Sequence, residues 1–202
     1  MNANAYSEDQ MLQAGTAEFF AEHLGWEAVF AFDREDYGPG SLLGRRHRGE
    51  VVLVDRLRPA LARLNPKAPP AALDAAISLL VADDVGKSLV QINEDKHKLL
   101  LDGVAVEARD AAGQLGQFVI KVVDFQQPAD NDFLMVRELW IEGLQPRRAD
   151  LVGFVNGLPL LFIELKRYDK DVKLGFDKNL ADYKRYIRHL FFFNAFVVLS
   201  NG

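Results

Sequence analysis

Three ionisable side chains interrupt an otherwise apolar stretch, and their types and spacing suit the hydrolysis of a phosphodiester. Asp150 begins one apolar run, and Glu164 and Lys166 end the next one. Two carboxylates are hard oxygen ligands for Mg²⁺, which keeps bound water that it can polarise. A lysine beside them can orient or deprotonate the attacking water and stabilise charge on the phosphate. The pattern Asp-x13-Glu-x-Lys therefore indicates a metal-dependent phosphodiesterase site.

These side chains are predicted to lie on a β-hairpin. Two runs of strand-forming residues, 149–155 and 159–165, flank Asn156-Gly157, a dipeptide typical of hairpin turns. Glu164 and Lys166 are two residues apart on one strand, so they point to the same face.

Strand parity decides whether Asp150 can join them. A regular two-residue turn would direct Asp150 to the opposite face from Glu164. We therefore expect a three-residue loop over residues 155–157, or a bulge at residues 149–150, that brings the two carboxylates within about 6 Å. Taken alone, the spacing also fits a hairpin whose terminal charges are merely solvated.

The residues around the hairpin resemble the N-terminal nuclease region of the restriction (R) subunit of type I restriction–modification enzymes, within the PD-(D/E)XK nuclease superfamily. The segment RRADLVGFVNGLPLLFIELK carries the resemblance most clearly. Shorter similar segments occur in the same order at residues 42–45, 60–66, 102–104, 131–134 and 193–202, so it covers essentially the whole chain. It implies an α+β fold of the restriction-endonuclease type, with a mixed, mostly antiparallel sheet flanked by helices and extra N-terminal helices.

The resemblance also implies roles for particular residues. Asp150, Glu164 and the Leu165 carbonyl would hold Mg²⁺, and Lys166 would activate water. A further acid is expected on the first helix, where Glu18 is the candidate; a solvated surface glutamate is the alternative. The family's Q-x-x-x-Y motif corresponds to Asn179 and Tyr183, with asparagine one methylene shorter than glutamine. Tyr183 could instead be a core tyrosine. DNA contacts are expected from Arg147, Arg148, Arg167 and Lys184.

The implied partners are double-stranded DNA and separate methylation (M) and specificity (S) subunits. The family's ATP-driven motor is not within these residues, since no G-x-x-x-x-G-K-[ST] occurs. ATP is therefore expected only for a full-length protein, of which this chain resembles the N-terminal part. Two alternatives are an inert nuclease-like docking module and another repair nuclease of the same superfamily.

Composition sets the broader limits. With 202 residues, 49% hydrophobic and 26% charged, the chain suits one globular domain, helical over about 1–95 and sheet-rich over about 96–202. Zero cysteines exclude disulfides and thiolate metal sites and fit a reducing cytoplasm. We expect neither a signal peptide nor a membrane span. The net charge of −5 argues against a DNA-coating protein, although ten Lys/Arg face only six Asp/Glu from Pro146 onward.

Local patterns predict the remaining elements. We expect helices at 10–24, 50–64, 70–82 and 172–190, and strands at 26–30, 98–109, 117–125, 133–141 and 196–199. The last strand should run parallel to a neighbour because a helix precedes it.

Overall fold

A computed structural model describes residues 3–32, 34–83, 85–166 and 179–200, with side chains described from residue 10 onward. The helices and strands, in order, are α1 (Ala3–Leu24), β1 (Glu27–Phe30), α2 (Val54–Leu64), α3 (Pro70–Val81), α4 (Leu89–Asp102), β2 (Val104–Arg109), β3 (Leu115–Ile120), β4 (Phe133–Ile141), β5 (Arg147–Val155), β6 (Leu158–Leu165), α5 (Ala181–Tyr186) and β7 (Phe196–Ser200). No helix of the described part is long and apolar enough to cross a membrane.

A five-stranded mixed sheet lies at the centre, in the order β1-β4-β5-β6-β7. The three inner strands are antiparallel, whereas β1 runs parallel to β4 and β7 runs parallel to β6. Strands β2 and β3 form a separate antiparallel hairpin. The expected α+β class and the parallel last strand are both confirmed.

Both faces of the central sheet are covered, which explains why its inner strands are apolar almost throughout. One face packs against α1, where Ala17 lies in a cluster with Leu151 and Ile163. The other face packs against the chain after residue 179, where Tyr183 lies in a cluster with Val152. Helices α2, α3 and α4 pack against the β2–β3 hairpin.

The largest error in the sequence-based assignment is α4. Residues from 98 onward were expected to begin a strand, but they form the last turn of this helix. Ser88 caps the helix through a capping box with Gln91, and Gly103, with φ +83°, ends it. The capping pair defines the helix start, and the apolar residues 99–101 belong to a helical face rather than to a strand.

The expected helix over 172–190 is only partly seen. Residues 167–178 lie outside the described residues. A single wide turn at Asn179 and Leu180 leads into α5, which ends at Tyr186, and a short 3₁₀ turn follows at Arg188–Phe191. The apolar stripe is confirmed nevertheless, because Leu180, Tyr183, Ile187 and Leu190 are all buried.

The turn of the central hairpin has two residues, so the expected three-residue loop is wrong. Asn156 has φ 51° and Gly157 has φ 80°, the left-handed pair of a type I′ turn, and Val155 pairs with Leu158. Beyond the turn, the register shifts by one residue, and Leu151 pairs with Ile163. Continued by one residue, this register places Asp150 level with Glu164.

The register shift is a bulge at Leu160, which lies between the pairs Phe154–Pro159 and Gly153–Leu161. A bulge was expected, but at residues 149–150. The strand opposite the bulge carries Gly153, where space is short. A Cβ on Gly153 would lie 2.9 Å from the Trp26 ring and 3.0 Å from Leu161 Cβ. The absent side chain lets the two strands and the indole ring come together at this point.

The hairpin turn packs directly against α2, so Gly157→Ala should destabilise the fold more than its backbone angle alone requires. A Cβ at Gly157 would lie 2.4 Å from the Leu53 carbonyl oxygen. Gly113 is a matched control, since its φ of +79° is nearly the same and nothing lies within 4 Å of its would-be Cβ. Urea unfolding should show a loss of about 1 kcal/mol for Gly113→Ala and roughly 2–5 kcal/mol for Gly157→Ala. Equal losses would contradict the close packing of this turn.

Candidate active site

The three residues predicted to do chemistry converge at one end of the central sheet. Asp150 lies near the start of β5, and its Oδ2 accepts a hydrogen bond of 2.8 Å from the backbone N–H of Leu165, near the end of β6. Leu165 separates Glu164 from Lys166, and Lys166 Nζ lies 2.5 Å from Glu164 Oε1. The bulge in β6 brings Asp150 and Glu164 to the same face of the sheet. Without it, the two-residue turn would direct their side chains to opposite faces.

The site carries more negative charge than its hydrogen bonds compensate. Glu164 is only 2% exposed, and its buried Oε2 has no hydrogen-bond partner among the described residues. Burial, and then the charge of Glu164, raise the pKa of Asp150 from its ordinary 3.8 to about 7, although the Leu165 N–H and Lys166 act in the opposite direction. A bound cation would relieve the repulsion between two carboxylates placed in this way.

The first helix reaches the site through Gln13, which the sequence analysis missed. Its side chain is 4% exposed, and its Nε2 donates to Asp150 Oδ1 at 3.2 Å. Its Oε1 is buried without a hydrogen-bond partner among the described residues. The candidate from this helix was Glu18, which is exposed instead. Gln13 is four residues before the buried Ala17, so a polar residue on the inward stripe was the available signal.

Another acid, Glu138, is buried beside Asp150 and was not predicted. The neighbouring pairs Arg137–Leu151 and Leu139–Ala149 place it level with Asp150 on β4. It is 2% exposed, its φ is +54°, and its Oε2 lies 3.1 Å from Arg148 Nη1. A left-handed residue inside a strand breaks the alternation of faces on which the sequence analysis relied, so no sequence pattern marked this residue.

The two residues of the shortened Q-x-x-x-Y motif both contact the site. Asn179 Nδ2 donates to Glu164 Oε1 at 3.2 Å, so the shorter amide still reaches. Tyr183 donates its hydroxyl to the Arg148 carbonyl at 2.9 Å, and its ring packs on Phe162. Burial and the nearby carboxylates raise the pKa of Tyr183 well above its ordinary value, so the hydroxyl remains a donor.

The residues expected to contact DNA are found in different settings. Arg147 lies over the Tyr186 ring at 4.2 Å, on the surface beside α5, where Lys184 is exposed. The side chain of Arg148 is 29% exposed and is turned inward toward Glu138. Arg167 lies outside the described residues.

The donor set available for a cation is made of oxygen atoms. Among the described residues, no group of three or more His, Cys, Asp or Glu side chains is arranged to hold a metal ion. A site here would therefore rest on Asp150, Glu164 and a backbone carbonyl, with water completing the shell. Mg²⁺ suits such a site, because it usually keeps several waters and takes only one or two carboxylates.

Comparisons with known proteins show which family the chain resembles. Residues 5–202 match the family model described as "Type I restriction enzyme R protein N terminus". The chain is 35% identical over 190 residues to the type I restriction enzyme HindI endonuclease subunit of Haemophilus influenzae, a match that covers 90% of this chain and 17% of that protein. It is 30% identical over 112 residues to the putative type I restriction enzyme MjaIXP endonuclease subunit of Methanocaldococcus jannaschii, covering 52% of this chain and 11% of that protein. The matched region is thus less than a fifth of either relative.

Proposed function

The chain belongs to the family of type I restriction enzyme R protein N termini, and on that premise we propose that it is the Mg²⁺-dependent DNA endonuclease region of such an enzyme. One observation carries the proposal. Asp150, Glu164 and Lys166 meet at one sheet end, linked by the Asp150–Leu165 and Lys166–Glu164 hydrogen bonds.

Asp150, Glu164 and the Leu165 carbonyl would hold the ion, and Mg²⁺ bound there would supply a Lewis acid and a bound water that loses its proton more easily. Glu164 Oε2 has no hydrogen-bond partner in the described part of the chain, and this supports the role, since a buried carboxylate oxygen without a donor is costly unless something binds it. The raised pKa of Asp150 supports it as well, because a cation would relieve the repulsion between the two carboxylates.

Lys166 is placed to act on the reacting water. Its side chain is 25% exposed, whereas that of Glu164 is 3% exposed, so the ammonium group lies at the boundary between the site and solvent. It would orient a water molecule toward the phosphorus and offset the growing negative charge on the phosphate oxygens. The water oxygen forms the new bond to phosphorus, the bond to the leaving sugar oxygen breaks, and that oxygen takes up a proton.

Three neighbouring residues fix the positions of these groups. Gln13 orients Asp150, Asn179 orients Glu164, and Tyr183 ties α5 to β5 through the Arg148 carbonyl. Side chains that are held in this way lose little freedom when substrate binds, and this lowers the barrier to reaction.

The rest of the reaction cycle would depend on parts outside these residues. We propose that double-stranded DNA is the substrate, that methylation and specificity subunits choose the site, and that an ATP-driven motor delivers the DNA. Sequence specificity would then not reside in this region.

Glu164→Gln in the full-length enzyme, assembled with its partner subunits, tests the proposal. Glutamine keeps the size and can still accept from Asn179, but it removes the charge that a metal needs. We expect DNA cleavage to fall at least about a thousandfold while ATP hydrolysis continues. ATP hydrolysis is measured alongside cleavage to show that the motor still works. Removing Mg²⁺ would not be a substitute for the variant, because it would also stop an ATP-driven motor.

Glu94→Gln is the matched control, since that side chain is 65% exposed on α4. It should cleave DNA at the native rate. Native cleavage by Glu164→Gln would instead favour an inert docking module, with the nuclease site elsewhere.

A further inference from the structure

A row of arginines that lie over aromatic rings begins beside the candidate active site. Arg148, two residues before Asp150, lies over the Phe32 ring at 5.1 Å and over the Trp140 ring at 6.0 Å. Arg48 lies over the same Trp140 ring at 5.6 Å, and its Nε donates to the hydroxyl of Tyr37 at 2.8 Å. The inner half of the row therefore connects β5 and β4 to the loop that follows β1.

The outer half of the row continues to the sheet edge at β1. The rings of Phe30 and Phe32 are nearly parallel, 14° apart, with centroids separated by 6.3 Å. Arg137 lies over Phe30 at 4.7 Å, and Arg34 lies over it at 5.6 Å. Four guanidinium groups thus lie over three rings, on or beside strands β1, β4 and β5, at the same end of the sheet as Asp150.

Among the described residues, no exposed acid pairs with an arginine of this row. Glu138 pairs with Arg148 but is 2% exposed, beneath the row. Glu35 is taken up by a buried pair with Arg45, in which the side chains are 4% and 0% exposed. Arg34 and Arg48 are exposed, and the buried Nε of Arg137 lacks a hydrogen-bond partner among the described residues. Exposed acids, Asp36 and Glu142, lie near the row in sequence but pair with none of its arginines in the described part of the chain.

We propose that this row, made of Arg34, Arg48, Arg137 and Arg148 on Phe30, Phe32 and Trp140, binds the phosphate backbone of the DNA that enters the active site. The inference rests on the proposed nuclease function and names the surface that presents the substrate. A ring beneath a guanidinium fixes its plane and leaves N–H edges free for phosphate oxygens. Since the chain carries a net charge of −5, its DNA affinity needs such a local concentration of arginines.

A DNA-binding assay tests this surface. The 202-residue chain is titrated against a fluorescent duplex of about 20 base pairs and arbitrary sequence. Lys166→Ala in every sample prevents cleavage. The double variant Arg34→Gln and Arg48→Gln removes two exposed charges without disturbing a buried contact. We expect its dissociation constant at low salt to rise about tenfold or more, and the slope of log K against log salt to fall by about two.

The matched control is the double variant Arg58→Gln and Arg109→Gln, which removes the same charge from exposed positions on α2 and β2. It should lower the salt slope little. Equal effects of the two double variants, or no DNA binding by the parent chain, would overturn the proposal. Arg137→Gln alone, which leaves Arg34 and Arg48 in place, should weaken DNA binding severalfold. If neither Arg137→Gln nor the Arg34/Arg48 double variant changed DNA binding, the row would be a packing feature only.

The outcome separates this inference from the nuclease proposal. If the row variants bind DNA normally while Glu164→Gln abolishes cleavage, the row is wrong and the active site stands. If the row variants bind weakly while Glu164→Gln still cleaves, the DNA surface stands and the assignment of the active site fails.

Discussion

Lys166→Ala in the full-length, assembled enzyme is expected to lower the rate of DNA cleavage by at least about a thousandfold, equivalent to about 4 kcal/mol in the barrier. The ammonium group is the one cation that contacts Glu164 among the described residues, at 2.5 Å, and it lies at the solvent boundary. In the proposed mechanism, its removal would take away both the orientation of water and the stabilisation of charge on the phosphate. The measurement is the rate of plasmid cleavage under conditions in which the native enzyme cuts completely.

The same variant should keep its fold and its ATP hydrolysis. Lys166 is partly exposed and contributes little to the core, so the circular dichroism spectrum should not change. Lys98→Ala is the control, since that side chain is 60% exposed on α4 and lies in surface ion pairs. Cleavage by Lys166→Ala at the rate of Lys98→Ala would remove this lysine from the mechanism.

Asp150→Asn is expected to stabilise the metal-free chain above pH 7. The folded-state pKa of Asp150 is raised from 3.8 to about 7, so the folded chain holds a proton that the unfolded chain releases between these values. Stability is therefore lost as pH rises through this window, by up to about 4 kcal/mol for about three pKa units. The asparagine cannot ionise, and so its variant escapes this loss.

Local hydrogen bonds should tolerate the asparagine. Its carbonyl can accept from the Leu165 N–H. Its amide can donate to Gln13 Oε1, which has no partner among the described residues, once the Gln13 amide turns over. The measurement is the midpoint of urea unfolding between pH 3 and pH 8 in the presence of a chelator. The variant should gain on the native chain as pH rises, whereas the exposed control Asp102→Asn should follow the native curve. Parallel curves for Asp150→Asn and the native chain would show that Asp150 is not destabilised by its neighbours.

The sequence predicted the hairpin and its three chemical residues because both have short-range signatures. Asn156-Gly157 defines a turn, and alternation along β6 places Glu164 and Lys166 on one face. Strand parity requires an irregularity, and the structure has one, but at Leu160 rather than at the turn or at residues 149–150. The bulge at Leu160 lies opposite Gly153, where the Trp26 ring packs, and a contact with a residue far away in the sequence leaves no local mark.

The residues that were missed depend on tertiary packing in the same way. Gln13 joins the site because α1 lies across the sheet, and Glu138 joins it because its backbone is left-handed. α4 differs, because the capping pair Ser88 and Gln91 marks its start in the sequence, whereas the apolar residues in its last turn also match a strand. The residues with short-range sequence signatures could therefore be predicted, whereas those placed by tertiary contacts could not.

A crystal of the 202-residue chain soaked in Mn²⁺, which substitutes for Mg²⁺, tests the central claim most directly, by anomalous diffraction. The account predicts one peak between Asp150 and Glu164, about 2.1 Å from an oxygen of each carboxylate, with those carboxylates within about 6 Å of each other. The peak should disappear in Glu164→Gln. A peak elsewhere, or two carboxylates held too far apart to share one ion, would contradict the proposed active site.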